Sequence, residues 1–273
     1  MNNVPVVLPV IPPEVVKSIH PDIHPNLPQI SGPGGGALVL MISPVKTGKS
    51  TIISNLMLND DFYDAQERFD TTTIISNTIA NDVTSRFLAK AFDTHESYND
   101  SIIDGIVAQQ KSYDKEDQPE IAVILDDCLG SIRREARINH LASRFRHFNI
   151  KLLIISSQNF RSCSPIIRQN STNVIVGSPF PNQKELGKMA EEYGDNFGGG
   201  DNWLQIYKLA TPEPYCFLHM DFQANPPKAY RCFEELIAEG HNIVGGGIRL
   251  HQEEREDDGN VEPDKDKLKL DKK

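Results

Sequence analysis

Residues 43–51, Ser-Pro-Val-Lys-Thr-Gly-Lys-Ser-Thr, stand between an apolar run, Ala37–Ile42 (ALVLMI), and the amphipathic stretch Thr51–Leu58. This is the setting, and nearly the pattern, of a phosphate-binding loop, G-x-x-x-x-G-K-[ST] between a strand and a helix. Gly48, Lys49 and Ser50 match the end of that pattern at the right offset. Ser43 stands where the first glycine usually is, and glycine there serves a turn that crowds any side chain. Serine is small, and Pro44 holds the next φ at about −65°, so the loop still closes with a different entry. The backbone N–H groups of Val45, Lys46, Thr47, Gly48 and Lys49 form a nest for phosphate oxygens. The helix start adds its partial positive charge. Lys49 reaches the β- and γ-phosphates, and the Ser50 hydroxyl ligates Mg2+. The predicted nucleotide-binding stretch is therefore Ser43, Pro44, Val45, Lys46, Thr47, Gly48, Lys49, Ser50 and Thr51. Lys46 lacks the glycine and hydroxyl neighbours that define the role of Lys49.

A second stretch supports the first. Ile121–Asp127 reads IAVILDD, a buried strand that carries a carboxylate to the carboxyl edge of a parallel sheet, where open α/β folds bind ligands. Asp126 is expected to hold Mg2+ through a water, opposite Ser50. Asp127 sits one residue on and points differently, so it is expected to orient or deprotonate the attacking water; an ordinary carboxylate is ionised at neutral pH. The next strand, Lys151–Ser156, leads into Ser157 and Gln158. An amide there can donate to phosphate and accept from water at once, which makes Gln158 the candidate sensor of the γ-phosphate. No N-K-x-D guanine-reading motif occurs, which favours ATP over GTP.

Around these motifs apolar runs alternate with amphipathic stretches. Strands are predicted at Ala37–Ile42, Thr72–Ser76, Ile121–Leu125, Lys151–Ser156, Asn173–Gly177 and Tyr215–Met220. Helices are predicted at Thr51–Leu58, Asp82–Phe92 (capped at Asn81 or Asp82), Ser101–Ser112, Ser131–Phe148, Gln183–Tyr193 and Phe233–Glu239. Strands this apolar are covered on both faces, so the expectation is an α/β fold with a mostly parallel sheet and helices on each side.

The ends differ from the middle. Eight of the 18 prolines fall in residues 1–36, which forbids long helix and central strand there. That segment is expected to be a Pro/Gly-rich extended arm, either wrapped on the body or a neighbour or left as a loose leader. The ATPase domain is assigned to residues 37–240, and residues 241–273 are assigned as a flexible charged tail. Within that tail, positions 251–273 hold nine acids and six bases and almost no apolar content.

Composition excludes several classes. The chain is 273 residues with 38% hydrophobic and 24% charged residues, enough for a sizeable core and against wholesale disorder. A net charge of −10 excludes coating of nucleic acid by bulk charge, though not a local basic patch. Apolar runs stay under about ten residues, too short for a bilayer core of ~30 Å. The opening MNNVPVVLPVIPPEVV lacks the basic region and unbroken apolar stretch of a signal peptide. Cys128, Cys163, Cys216 and Cys232 are widely spread with no C-x-x-C pair, as expected of reduced thiols.

Taken together, SPVKTGKST, IAVILDD, RFRHFNIKLLIISSQ and PIIRQNSTNVIVG resemble the poxvirus-type genome-packaging ATPases of large double-stranded DNA viruses, within the FtsK–HerA superfamily of P-loop motors. The resemblance covers about residues 37–220. It implies an ASCE-type sheet, with an extra strand between the phosphate-loop strand and the metal-carboxylate strand. Thr72–Ser76 is the candidate for that strand, and the 77 residues from Lys49 to Asp126 leave room for it. It also implies that Asp127 and Gln158 match the family's acidic and polar catalytic positions, although many superfamily members have Glu where Asp127 stands. The implied cofactors are ATP and Mg2+. The implied partners are double-stranded DNA, further copies of the chain in a homo-oligomeric ring, and a viral capsid or portal-like component, with no membrane span. The implied location is the cytoplasm of the infected host cell, in the virus factory, and the virion.

Oligomeric ATPases complete the site with an arginine from the next subunit. Arg146 and Arg168 are the candidates. Arg133, Arg134 and Arg137, in or just after the loop following Asp127, are candidates for gripping DNA phosphates in a central pore. His140 and His147 read as packing or helix-end residues. The leading expectation is an ATP-driven motor moving double-stranded DNA into a capsid. The alternatives are another DNA-acting P-loop ATPase, helicase-like or HerA-like, and a non-hydrolysing nucleotide-binding structural subunit.

Overall fold

The computed structural model of the protein describes residues 23–31, 35–80, 84–131 and 136–244. Its elements run β1 (Ala37–Ile42), α1 (Lys49–Leu58), α2 (Ala65–Arg68), β2 (Thr71–Ser76), α3 (Ser85–Ala91), β3 (Asp93–His95), α4 (Asp100–Lys111), β4 (Ile121–Asp126), α5 (Arg137–Arg144), β5 (Ile150–Ser157), α6 (Pro165–Asn170), β6 (Asn173–Gly177), α7 (Gln183–Tyr193), α8 (Gly200–Ala210), β7 (Phe217–Asp221), β8 (Lys228–Arg231), β9 (Glu235–Glu239) and β10 (Asn242–Ile243). All ten strands join one sheet in the order β10-β9-β8-β7-β6-β1-β5-β4-β2-β3. The six from β6 to β3 are parallel, and β7 to β10 extend the sheet antiparallel.

β1 lies at the centre because every one of its six residues is apolar and buried. Its alternate side chains serve two cores. Ala37, Val39 and Met41 pack with Ile53, Leu56 and Met57 of α1 and Leu88 of α3. Leu38, Leu40 and Ile42 pack on the face covered by α4 to α8, with Leu141, Met189 and Trp203. Each of these side chains larger than Ala37 stabilises the fold by roughly 1.5–3 kcal/mol through burial. The α/β class, the mostly parallel sheet and the helices on both faces all agree with the sequence reading.

Three expectations need correction. The strand between β1 and β4 is β5, not the predicted Thr72–Ser76 segment. That segment forms β2 and pairs with the outer side of β4, Ile74 opposite Ile124. The insertion thus comes from the strand that leads into Gln158, and the Ser43–Thr51 loop and Asp126 are separated by β5 itself. The predicted helix Phe233–Glu239 is instead strand β9, paired with β8 and turned by Gly240 at φ 54°. Its Glu-rich sequence favours helix locally, and burial of Ile237 and Ala238 against the sheet overrides that preference. The predicted helix Ser131–Phe148 shrinks to α5 followed by a 3-10 turn, Phe145–Phe148; residues 132–135 lie outside the described residues.

Of the Pro-rich arm, residues 1–22 and 32–34 are outside the described residues. The described part lies against the body. Ile23, Leu27 and Ile30 are buried in the α1 core, the Tyr63 hydroxyl donates to Pro28 O at 2.7 Å, and Gln29 and Gln223 exchange two hydrogen bonds. Of the tail assigned to residues 241–273, Asn242–Ile243 form β10 and pair with β9 instead of standing free, and residues 245–273, like the predicted cap at Asn81 or Asp82, are outside the described residues.

Candidate functional site

The parallel register brings three strand ends to one edge. Ile42 of β1 pairs with Ser157 of β5, and Leu125 of β4 pairs with Ile155 of β5. Ser43, Asp126, Asp127 and Gln158 therefore emerge side by side at the carboxyl edge. Ser43 N donates to Ser157 O at 3.0 Å, which ties the loop's entry to the sensor strand.

The loop from Ser43 to Gly48 turns sharply into α1. Gly48 has φ 92° and Lys46 has φ 63°, and the Ile52 N–H closes the first helical bond onto Gly48 O at 2.9 Å. Glycine adopts such a φ without steric cost. The loop is braced internally: Thr47 Oγ1 donates to Pro44 O at 2.6 Å, and the Ser43 and Thr47 hydroxyls are hydrogen-bonded to each other. Val45 and Lys46 are exposed at the loop's tip, and Ser50 is half-buried at the second position of α1. The serine that replaces glycine is fully buried, with its hydroxyl against the backbone of Gly177 at the end of β6.

Opposite the loop, Lys49, Asp127 and Gln158 form a chain. Lys49 Nζ lies 3.3 Å from Asp127 Oδ1, and Gln158 Nε2 donates to Asp127 Oδ2. Asp127 adopts φ 57°, the left-handed turn that brings its carboxylate round to Lys49 at a cost of roughly 1–3 kcal/mol. That turn is held by Ser156 Oγ, which accepts from Asp127 N at 3.0 Å, and by Asn77, which donates to Asp127 O at 3.3 Å.

Asp126 is 5% exposed. Its carboxylate accepts from Ser156 Oγ at 2.5 Å and from Ser76 Oγ at 3.2 Å. Burial raises its pKa above the usual carboxylate range, against the lowering influence of Ser156 and Lys49. A buried carboxylate beside a serine hydroxyl offers hard oxygen donors that suit magnesium. Among the described residues no group of three or more His, Cys, Asp or Glu could hold a metal by itself, so a magnesium ion here would take its other oxygens from phosphate and water.

The structure brings together Ser43 to Thr51, Asp126, Asp127 and Gln158. It does not bring the arginines to them. Arg146 lies in the 3-10 turn ahead of β5, at the opposite end of the strand from Gln158, exposed and stacked on Phe145 at 5.3 Å. Arg168, on α6, is bound within its own chain: it pairs with Glu192 at 3.0 Å and lies 4.5 Å over the Phe160 ring. Arg137 pairs with Asp104 at 3.2 Å, and Arg133 and Arg134 are outside the described residues. Sequence reasoning missed Ser156 and Ser76, which hold Asp126, and Gly177, which makes room for Ser43. Ser156 was legible in principle, because the register that pairs Leu125 with Ile155 also sets it beside Asp126.

No protein-family model and no curated protein matches the chain. Solved structures do. The chain is similar to B204, the DNA-packaging ATPase from Sulfolobus turreted icosahedral virus, at 18% identity and a TM-score of 0.53, over 72% of this chain and 98% of that one. It is similar to the genome packaging NTPase B204 from Sulfolobus turreted icosahedral virus 2 in complex with AMPPCP, at 17% identity and a TM-score of 0.51, over 71% and 96%. The same protein in complex with ATP-gammaS matches at 17% identity and a TM-score of 0.50, again over 71% and 96%. The fold is thus the P-loop ATPase fold that these proteins have.

Proposed function

We propose that this chain is an ATPase motor that drives double-stranded DNA into a viral capsid, working as a homo-oligomeric ring. The chain Lys49–Asp127–Gln158 carries this reading, because it couples the phosphate loop to the sensor strand through a single carboxylate. The triphosphate would lie on the N–H groups of residues 45–49, and Asp126 with Ser50 would hold Mg2+, which would supply charge neutralisation on the phosphates. The arriving γ-phosphate competes with Asp127 for the Lys49 ammonium. Asp127, released from its cation and still steered by Gln158, then takes the proton of the attacking water. Loss of the γ-phosphate lets the Lys49–Asp127 pair re-form. Gln158 feels that exchange directly and passes it along β5, the motive step of the motor.

Arg146 supports the ring. It cannot serve its own site from the far end of β5, and it is exposed for a neighbour's. Arg168 is the weaker candidate because Glu192 and Phe160 already hold it. The capsid, the virus factory and the virion belong to this proposal by likeness of fold and motif. The described residues contain no helix long and apolar enough to cross a membrane.

The test is steady-state ATP hydrolysis on a size-fractionated sample, with and without duplex DNA. Hydrolysis stimulated by duplex and abolished by Lys49→Ala is expected. Hydrolysis unchanged in Lys49→Ala removes the mechanism, strand separation favours a helicase-like remodeller, and tight ATP binding without turnover favours a structural subunit.

A further inference from the structure

Tyr215 is an aromatic side chain placed against its own interests. It is 68% exposed, and its backbone sits at φ 69°, a left-handed conformation that a bulky residue adopts only when its surroundings impose it. It stands just ahead of β7, and its ring lies beside the phosphate loop: a methyl group on Gly48 would be 3.6 Å from Tyr215 Cδ1. Nothing in the proposed hydrolytic chain uses it.

A cavity of about 350 Å³ lies along α1, from Thr51 near the loop to Phe62 beyond the helix's end. Thr51, Ile52, Asn55, Phe62, Phe217 and Phe233 line it. Two routes connect it with the loop and Tyr215. Thr51 follows Gly48 by one turn of α1, and Phe217 follows Tyr215 by two residues at the start of β7. Its wall is aromatic: Phe233 meets Phe217 at 5.1 Å and Phe62 at 6.0 Å, both edge to face. Asn55 spends its Nδ2 on Thr51 O at 2.8 Å, which leaves its Oδ1 as an acceptor for a ligand N–H. A concave site of this volume, with an aromatic wall and a few polar groups, His24, Asn55, Asp61 and Glu234 among them, that can orient a ligand, is the common form of a small-molecule pocket.

We infer that Tyr215 and this cavity form the base subsite of the nucleotide site, with the Tyr215 ring stacked on a purine base whose phosphates lie along residues 43–51. The inference rests on the proposed nucleotide binding and adds to it where the base goes and what grips it. Stacking on an aromatic ring accepts any base with a broad π-face, and favours the larger purines. The strained backbone is the cost of aiming the ring across the loop.

The test measures binding of ATP and of inorganic tripolyphosphate, each with Mg2+, to the full chain and its variants. Tyr215→Ala is expected to weaken ATP roughly 5- to 150-fold, the range that loss of one base–aromatic stack brings. Tripolyphosphate affinity should stay within about twofold, since it has no base to stack. Tyr215→Phe should bind ATP like the parent. Tyr215→Asn keeps the left-handed backbone that asparagine tolerates and removes only the ring, so it should match Tyr215→Ala. If the parent binds both ligands and neither ring-deleting variant weakens ATP, the subsite is wrong while the phosphate loop stands. If the parent binds neither ligand, the nucleotide reading itself falls and this inference with it.

Discussion

The hydroxyl of Ser43 fills the space that a side chain at Gly177 would need. A methyl group on Gly177 would lie 2.0 Å from Ser43 Oγ and 2.8 Å from Ser43 Cβ. The serine that departs from the phosphate-loop pattern is thus tolerated because the neighbouring strand ends in glycine. Loop entry and strand β6 are one packing unit.

That relationship predicts a rescue. Gly177→Ala should destabilise the fold by about 1–3 kcal/mol, as overpacking does, and weaken ATP binding by displacing the loop. Ser43→Gly in the same chain removes both clashing atoms and should restore most of the loss. Melting temperatures and ATP affinities of the four proteins in the double-mutant cycle check this; additive effects of the two changes would show that the pair is not coupled.

Asp127→Asn keeps the shape of the side chain but loses the base. Turnover should fall by roughly 10²–10⁴, the usual contribution of a general base, while ATP affinity holds or rises because Lys49 loses a competitor. Gln158→Ala should lower turnover less and leave affinity alone. Measured kcat and ATP dissociation constants separate the two; a loss seen in affinity alone would reassign Asp127 to binding.

Asp126, proposed above to hold Mg2+, is buried at a cost in stability. Burial raises its pKa in the fold, so the fold favours the protonated acid and is penalised once the group ionises. This contribution to stability is present at low pH and is lost as pH rises through the folded pKa. Asp126→Asn should therefore melt higher than the parent near neutral pH, by roughly 2–4 °C for each kcal/mol recovered, while losing ATPase activity. The difference should shrink as pH falls and the parent's carboxyl takes up its proton. Thermal melts across pH check it, and a variant that melts lower at every pH contradicts it.

His219 works in the opposite direction. It is fully buried on β7, with Nε2 3.2 Å from Asn173 Nδ2, and burial pushes its pKa down to about 3. Between its ordinary value of about 6.5 and that value, the unfolded chain binds a proton that the fold refuses. Its stability contribution is complete above about pH 6.5 and is lost progressively on acidification, at up to about 1.4 kcal/mol per pH unit. His219→Phe should lose this part of the acid sensitivity, although it melts lower at pH 8 for want of the Asn173 hydrogen bond. Parallel slopes of melting temperature against pH for the two proteins would refute the assignment.

Arg146→Ala should leave the melting temperature within about 1 °C, as an exposed substitution does, and cut turnover by roughly 10³-fold if the arginine completes a neighbour's site. Mixing it with Lys49→Ala subunits should recover activity at the mixed interfaces. Arg168→Ala should instead lower the melting temperature, because Glu192 and Phe160 lose their partner. No recovery on mixing would place Arg146 outside the site.

Much of the candidate site's placement was legible from residues alone because its elements are local. SPVKTGKST needs only its own nine residues to specify a turn, a run of N–H groups and a helix start, and IAVILDD needs only a strand to reach the sheet edge. Other features depend on contacts between distant parts of the chain. The helix α8 was missed although Trp203, Ile206, Tyr207 and Ala210 fall at helical spacing. Strand β9 was misread because its glutamates prefer helix, and only pairing with β8 decides otherwise. Sheet order is the largest such case. Which strand lies between β1 and β4 depends on which pair of apolar edges buries more surface, and no run of neighbouring residues encodes that. From that order follow Ser156 against Asp126, Gly177 beneath Ser43 and Tyr215 beside Gly48. Residue type and spacing alone set the chemistry available at the sheet edge; the packing of strands far apart in the chain chose which side chains meet there.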